Sequence, residues 1–191
     1  MEPTPTRASS KDLDWHPVDP LIAEHDVILG VLAAAERRLV AERDRGTAYD
    51  ATYWLDLARF LHGFADELHH AKEEAHLFPA LTRCGLPEQG GPVAVMKQEH
   101  EQGRALVRGF RAAAKADDQA DTWRQVGLFV ELLRQHIAKE NQVLFEMARR
   151  LLPEPEVTGL RWTYEELAAA TDDARTRKEL LALAADLDRR A

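Results

Sequence analysis

The sequence predicts an all-α protein, an up-down-up-down four-helix bundle with an additional C-terminal helical segment. Three observations carry that expectation. Alternating β-branched stretches do not occur, while Ala, Leu, Glu and Arg dominate, a balance that favours helix over strand. Apolar residues recur at helical spacing along four long segments. Clusters of Gly, Pro and Asp separate those segments by short connections, as between antiparallel neighbours in a bundle.

Each element has its own warrant. The polar opening MEPTPTRASSKDLD lacks the apolar stretch of a signal peptide, and residues 1–16 read as a flexible tail. Asp19-Pro20 resembles an N-cap with proline at the first helical position, opening a helix to about Arg45. Leu21, Ile28, Leu32 and Leu39 mark its apolar stripe, and His25 falls on it. Gly46-Thr47 breaks the chain before a second helix from about Tyr49 to Arg83. Pro79 costs that helix the bond to the Ala75 carbonyl, so a kink or early end is expected there. Cys84-Gly85-Leu86-Pro87 stops it. The third helix runs from Pro92 to about Lys115, with Met96, His100, Val107 and Phe110 on one face. Asp117, Asp118 and Asp121 form a polar turn before the fourth, from about Thr122 to Leu152, which carries Phe129, Leu133, His136, Glu140 and Val143. Pro153 and Pro155 end it, closing a bundle over residues 17–152. Residues 153–191 read as a helical extension packed on the bundle, with a capping box at Thr163 and Glu166.

Bulk properties narrow the function. The 191 residues suffice for one sizeable core. A hydrophobic fraction of 45% with 30% charged residues is that of a soluble globular domain rather than a disordered chain. A formal charge of −8 with no basic patch argues against nucleic acid and anionic membranes as partners. Apolar runs are too short to span a bilayer. Cys84 is the only cysteine, which excludes an internal disulfide and a thiolate metal cage. A cytoplasmic protein is expected.

The chemistry lies in a repeat. HHAKEEAHLF at residues 69–78 returns as HIAKENQVLF at 136–145, matching at six of ten positions. A repeated core would repeat leucine and phenylalanine, but it has no reason to repeat a histidine and a glutamate four residues apart. That spacing puts His69 beside Glu73 and His136 beside Glu140 on one helix face. The first and third helices add His25 and His100 on their core stripes. Burying two carboxylates is costly unless something neutralises them. Two divalent or trivalent metal ions would do so and would use every one of these groups. Imidazole suits iron, zinc and copper, and a carboxylate can bridge two ions.

The order H…HxxxE…H…HxxxE over four helices resembles the hemerythrin-like, HHE cation-binding family. So do EHD at 24–26, HHAKEEAHLFPAL at 69–81 and GGPVAVMKQEHEQGR at 90–104. The likeness spans residues 17–152. It implies a carboxylate-bridged, oxo- or hydroxo-bridged pair of iron ions held by His25, His69, Glu73, His100, His136 and Glu140. It also implies a small diatomic or peroxide ligand. Two departures stand out. The oxygen-carrying hemerythrins have two histidines four apart on the third helix, and here His100 is followed at that offset by Arg104. Their last carboxylate is an aspartate five residues on, and here it is Glu140 at four. Four imidazoles and two bridging carboxylates leave up to about four of the roughly twelve positions of two octahedral ions open. That shifts the expectation from oxygen carriage toward sensing or redox chemistry on O₂, peroxide or NO.

Neighbouring residues need plainer readings. His70 and Glu74 also stand four apart, but the second copy offers Ile137 and Asn141 in that register, so both are expected outside the ligand set. His62 and His76 each lie two turns from His69, about 10 Å by helical rise. A packed histidine is the plainer reading of His76, with a supplementary ligand as the alternative. His16 has no evident partner, Cys84 reads as structural, and the repeated Lys72 and Lys139 are assigned no chemistry. Three functions follow: a sensor of O₂, NO or redox state, an enzyme turning over peroxide or NO, and an iron buffer or plain helical interaction module.

Overall fold

The computed structural model describes residues 15–191, apart from the side chains of residues 171–173. Every regular element among the described residues is helical. Helix α1 spans Val18–Asp44. Helix α2 covers 51–83, with regular turns at Ala51–Phe60 and Phe78–Arg83 and π-helical turns at Leu61–His70 and Glu73–Leu77. Helix α3 is Pro92–Lys115, as expected. Helix α4 covers 119–151: Gln119–Lys139, a π turn at Glu140–Leu144, then Phe145–Leu151. Helices α5 (Glu154–Ala169) and α6 (Thr171–Arg190) form the extension.

The ends follow local chemistry. Asp50 accepts the Tyr53 N–H at 3.1 Å and Asp118 the Asp121 N–H at 3.0 Å, so both act as N-caps. Helix α1 starts earlier than its Asp-Pro pair suggested. Asp19 instead lies inside the first turn and takes the His16 N–H at 2.8 Å. His16 thus has partners, since its ring nitrogen also faces the Val18 N–H at 3.4 Å. Thr163 opens no helix. It sits within α5, its hydroxyl donating to the Gly159 carbonyl at 3.0 Å, and Pro153-Glu154-Pro155 forms that helix's start.

Helix α2 passes through Pro79 without ending. The Phe78 N–H bonds back to the Glu73 carbonyl, a π-type i to i−5 bond just before the proline. The proline is not its cause, because the Phe145 N–H bonds to the Glu140 carbonyl in the same way where no proline follows. Both π turns begin at the repeated glutamate, and such turns concentrate at functional sites.

Two apolar clusters flank the middle of the bundle. The larger joins Ile28, Leu32, Trp54, Phe60, Phe64, Phe110, Val126 and Phe129. Its far end is pinned by Glu42, which accepts from Trp54 Nε1 (2.9 Å), Trp123 Nε1 (2.8 Å), Arg38 Nε (2.7 Å) and the Asp50 N–H (3.0 Å). Four donors thus satisfy both oxygens of this buried carboxylate. The smaller cluster gathers Leu21, Leu77, Phe78, Phe145 and Leu160. The extension packs on the side of the bundle: Leu180, Leu183 and Leu187 of α6 enter the larger cluster, and Tyr164 of α5 enters the smaller. No described helix is long and apolar enough to cross a membrane.

Candidate metal centre

Between the two apolar clusters the interior turns polar. His25, His69, Glu73, His100, His136 and Glu140 are all 0–1% exposed. All six residues of the expected set therefore meet in one place, each helix of the bundle supplying its share. They form two adjoining groups, His25, His69, Glu73 and Glu140 in one and His100 and His136 in the other. The carboxylates span both. Glu73 Oε1 lies 3.7 Å from His69 Nε2 and Glu73 Oε2 lies 3.5 Å from His100 Nε2. Glu140 Oε2 is 3.2 Å from both His25 Nε2 and His136 Nε2.

The second group contains His70 as well, which the sequence reading placed outside. Its ring stacks on that of His100 with centroids 3.7 Å apart and is 7% exposed. The reason is bundle geometry. Each helix faces two neighbours across an apolar stripe about 100° wide, so successive residues can both turn inward. His69 faces α1 and His70 faces α3. At the corresponding place on α4 the chain puts Ile137, buried in the larger cluster, so the two halves of the repeat differ here. Glu74 does lie outside, half-buried, where it accepts from His100 Nδ1 at 2.6 Å. Neither His62 nor His76 joins a group among the described residues. His62 is exposed and 3.3 Å from Glu67, while His76 stands edge-on to Tyr164.

The outer contacts follow a rule that the sequence reading missed. His69 Nδ1 bonds Glu24 Oε2 at 3.1 Å, and His136 Nδ1 bonds Glu99 Oε2 at 3.0 Å. His100 Nδ1 bonds Glu74, and His25 Nδ1 bonds Asn141 Oδ1 at 2.8 Å. Each support is the chain neighbour of a different inward residue, so Glu24-His25 mirrors Glu99-His100 and Glu73-Glu74 mirrors Glu140-Asn141. Lys72 bonds Glu24, and Lys139 bonds Glu99. The repeated lysines thus hold the carboxylates that hold the histidines. The repeated EH dipeptide and the repeated lysine were the available signals. Such partners fix the imidazole tautomer and raise its basicity toward a metal.

The Nδ1 protons being committed outward, the Nε2 atoms present lone pairs to the interior. His100 Nε2 and His136 Nε2 then face each other at 3.1 Å. His25 Nε2, His69 Nε2 and all four oxygens of Glu73 and Glu140 are buried without a hydrogen-bond partner among the described residues. His25 Nε2 is close to Glu140, but the geometry is not that of a hydrogen bond. Lone pairs converging in a buried interior make a place that could hold a metal cation. Imidazole and carboxylate without thiolate fit iron, though also zinc or manganese.

Protonation is uneven across the site: burial works to lower His136, but the Glu140 and Glu99 carboxylates outweigh it and raise it. Burial pulls His69 down to about 4 and His70 to about 3, keeping both neutral as ligands must be. Burial, reinforced by the Glu140 charge, pushes Glu73 well above the ordinary carboxylate range. Burial also works to raise Glu140, but His136 and His25 outweigh it and hold it well below. Glu24 is buried too, yet its bonds to His69 and Lys72 bring it to about 2.

The three-histidine side borders a cavity of about 110 Å³ lined by Leu61, Ala65, Gly103, Val107, Phe129 and Leu133. Arg104 stands at its edge, bonded at 2.7 Å to each of Asp66, Glu74 and Glu101. The place where oxygen carriers have another histidine is thus taken by an ion-pair hub, and His70 brings the fifth imidazole from α2 instead.

Comparison with known families bears directly on this arrangement. The hemerythrin HHE cation-binding domain matches residues 16–148. The chain belongs to the hemerythrin family. Among curated relatives, the iron–sulfur cluster repair protein YtfE of Salmonella typhimurium is 32% identical over 102 residues, covering 48% of this chain and 46% of the relative. An uncharacterized protein of Mycobacterium tuberculosis, Rv1995, is 28% identical over 155 residues, covering 76% of this chain and 58% of the relative. The chain therefore spans about half the length of the curated relatives it matches. No solved structure matches it.

Proposed function

We propose that this hemerythrin-family chain holds two iron ions bridged by Glu73 and Glu140 and uses them to bind O₂, peroxide or NO, in sensing or in the response to oxidative or nitrosative stress. The observation that carries the reading is the convergence of partnerless lone pairs from buried imidazoles and two carboxylates. His25 and His69 would hold one ion, and His70, His100 and His136 the other. With five imidazoles and two bridging carboxylates, up to about three of twelve octahedral positions stay open, one fewer than the sequence reading counted. The relative named for iron–sulfur cluster repair supports the stress-response setting, and the match covers under half of that relative.

When bound, an iron pair supplies reversible electron exchange with a small ligand. The chain supplies the rest. Glu24, Glu74 and Glu99 hold imidazole protons outward and keep Nε2 free. Glu73, whose carboxyl keeps a proton readily, and the charged Glu140 balance the change in charge as metal enters. Leu61, Val107, Phe129 and Leu133 give the cavity beside the three histidines an apolar wall, and Asp66, Arg104 and Arg108 line the rest of it.

The test is anaerobic titration of the ferrous protein with NO, followed by optical and electron paramagnetic resonance spectra. Saturable binding at micromolar NO supports the proposal. An unchanged spectrum in protein that carries iron would overturn it. Repeated additions of peroxide then separate sensing, which saturates, from turnover, which continues.

A further inference from the structure

The two carboxylates held by the repeated lysines differ in one contact. Glu99 is held by Lys139 alone among the described contacts, whereas Glu24 is held by Lys72 and also by Arg177, whose Nη1 donates to Glu24 Oε1 at 2.6 Å. Arg177 lies on α6, beyond the residues 16–148 that match the family. It is placed there by real packing. Its guanidinium sits 5.4 Å from the centroid of the Phe64 ring, and Leu180, one turn on, packs against Gly63 so closely that a Cβ there would stand 3.0 Å from its methyls. Glu24 is 2% exposed, so the charge contact is screened on one side only.

We infer that Arg177 is a positioning residue of the extension which, through Glu24, sets how strongly His69 donates to its metal ion. The chain of contacts is continuous: Arg177 Nη1 to Glu24 Oε1, then Glu24 Oε2 to His69 Nδ1 at 3.1 Å. A second cation on Oε1 draws electron density from the carboxylate and makes Oε2 a poorer acceptor. The His69 N–H is then less polarised, and Nε2 is a weaker donor to a bound cation. His136, supported by Glu99 with one lysine, lacks this brake. The extension thereby adds to the inequality of two positions that already differ in imidazole number, and raises the potential of the His25/His69 ion. The inference rests on the metal reading above, and the contact itself does not.

Two measurements separate the one from the other. In the metal-free chain, the His69 Nδ1–H proton resonance reads the hydrogen bond directly. Arg177→Ala should move it downfield, Arg177→Lys should restore it, and Lys178→Ala, which removes an exposed charge one residue along, should leave it in place. In the iron-loaded chain, Arg177→Ala should lower one of two midpoint potentials, favouring the ferric form about tenfold more, the lower end of outer-partner effects. On a Glu24→Gln background that shift should largely vanish, because the two act through one path. A resonance unmoved by Arg177→Ala overturns the inference whether or not metal binds. So does a potential shift that is equal in Lys178→Ala or fully additive with Glu24→Gln. A chain that shows the resonance shift and takes up no iron would instead contradict the di-iron reading and leave the Arg177–Glu24–His69 coupling standing.

Discussion

His70 is the residue whose replacement says most about the site. Its ring lies flat on His100 and is buried, and its ligating atom is grouped with those of His100 and His136. His70→Ala removes one of three imidazoles from that position and leaves two, with the bridging carboxylates. Losing an outer hydrogen-bond partner of a metal ligand typically costs 10–100-fold in affinity, so losing a ligand should cost at least about 100-fold, or about 2.7 kcal/mol. The effect should be local. One ion remains tight at His25 and His69 while the other weakens, turning a two-ion titration into one tight and one weak step. The variant also enlarges the adjoining cavity of about 110 Å³ by the volume of a ring. Free imidazole at millimolar concentration should occupy that space and restore the second step. The assay is anaerobic titration of metal-free protein with ferrous ion against a chelator of known affinity, with and without imidazole. Two equally tight ions in His70→Ala would refute the reasoning and return His70 to a packing role beside His100.

Other consequences follow from the same contacts. Glu99→Gln weakens the support of His136 Nδ1 and should reduce affinity at the three-histidine position by 10–100-fold, measured by chelator competition, while the fold's urea midpoint stays close to wild type. Glu42→Leu leaves the Trp54 and Trp123 indole N–H groups and Arg38 without their acceptor. It should cost about 3–5 kcal/mol in urea unfolding, yet metal stoichiometry should hold because Glu42 lies at the other end of the core. Gly63→Ala sets its new methyl 3.0 Å from both Leu180 methyls, so Leu180 must shift outward and α6 should loosen, seen as earlier proteolytic cleavage around α6.

The helices were legible because their signals are local. The proline and glycine punctuation, the polar turn at Asp117, Asp118 and Asp121 and the apolar stripes each act within a turn or two. That His25, His69, Glu73, His100, His136 and Glu140 would meet in the interior was legible for a related reason, since a histidine and glutamate one turn apart twice over leave little room for coincidence. His70 was not legible because its role depends on which neighbour a helix faces, and a linear repeat carries no such information. The mismatch between His70 and Ile137 suggested that His70 lies outside the ligand set, when it marks a place where the two halves differ and His70 groups with His100 and His136. Lys72 and Lys139 were repeated in plain sight, but their partners Glu24 and Glu99 lie on other helices. Thr163 shows the opposite error: a valid capping pattern was overridden by Pro153-Glu154-Pro155, which had already started the helix. Arg177 had no signal at all, since neither its spacing nor its neighbours single it out.

The central claim is that Glu73 and Glu140 bridge two ions, and X-ray absorption at the iron edge on the reconstituted full chain tests it most directly, together with metal analysis. The account predicts two irons per chain, a first shell of nitrogen and oxygen without sulfur, and an iron–iron scattering feature that disappears in Glu140→Ala. One iron per chain, or two irons with no iron–iron feature in the wild-type protein, would contradict it.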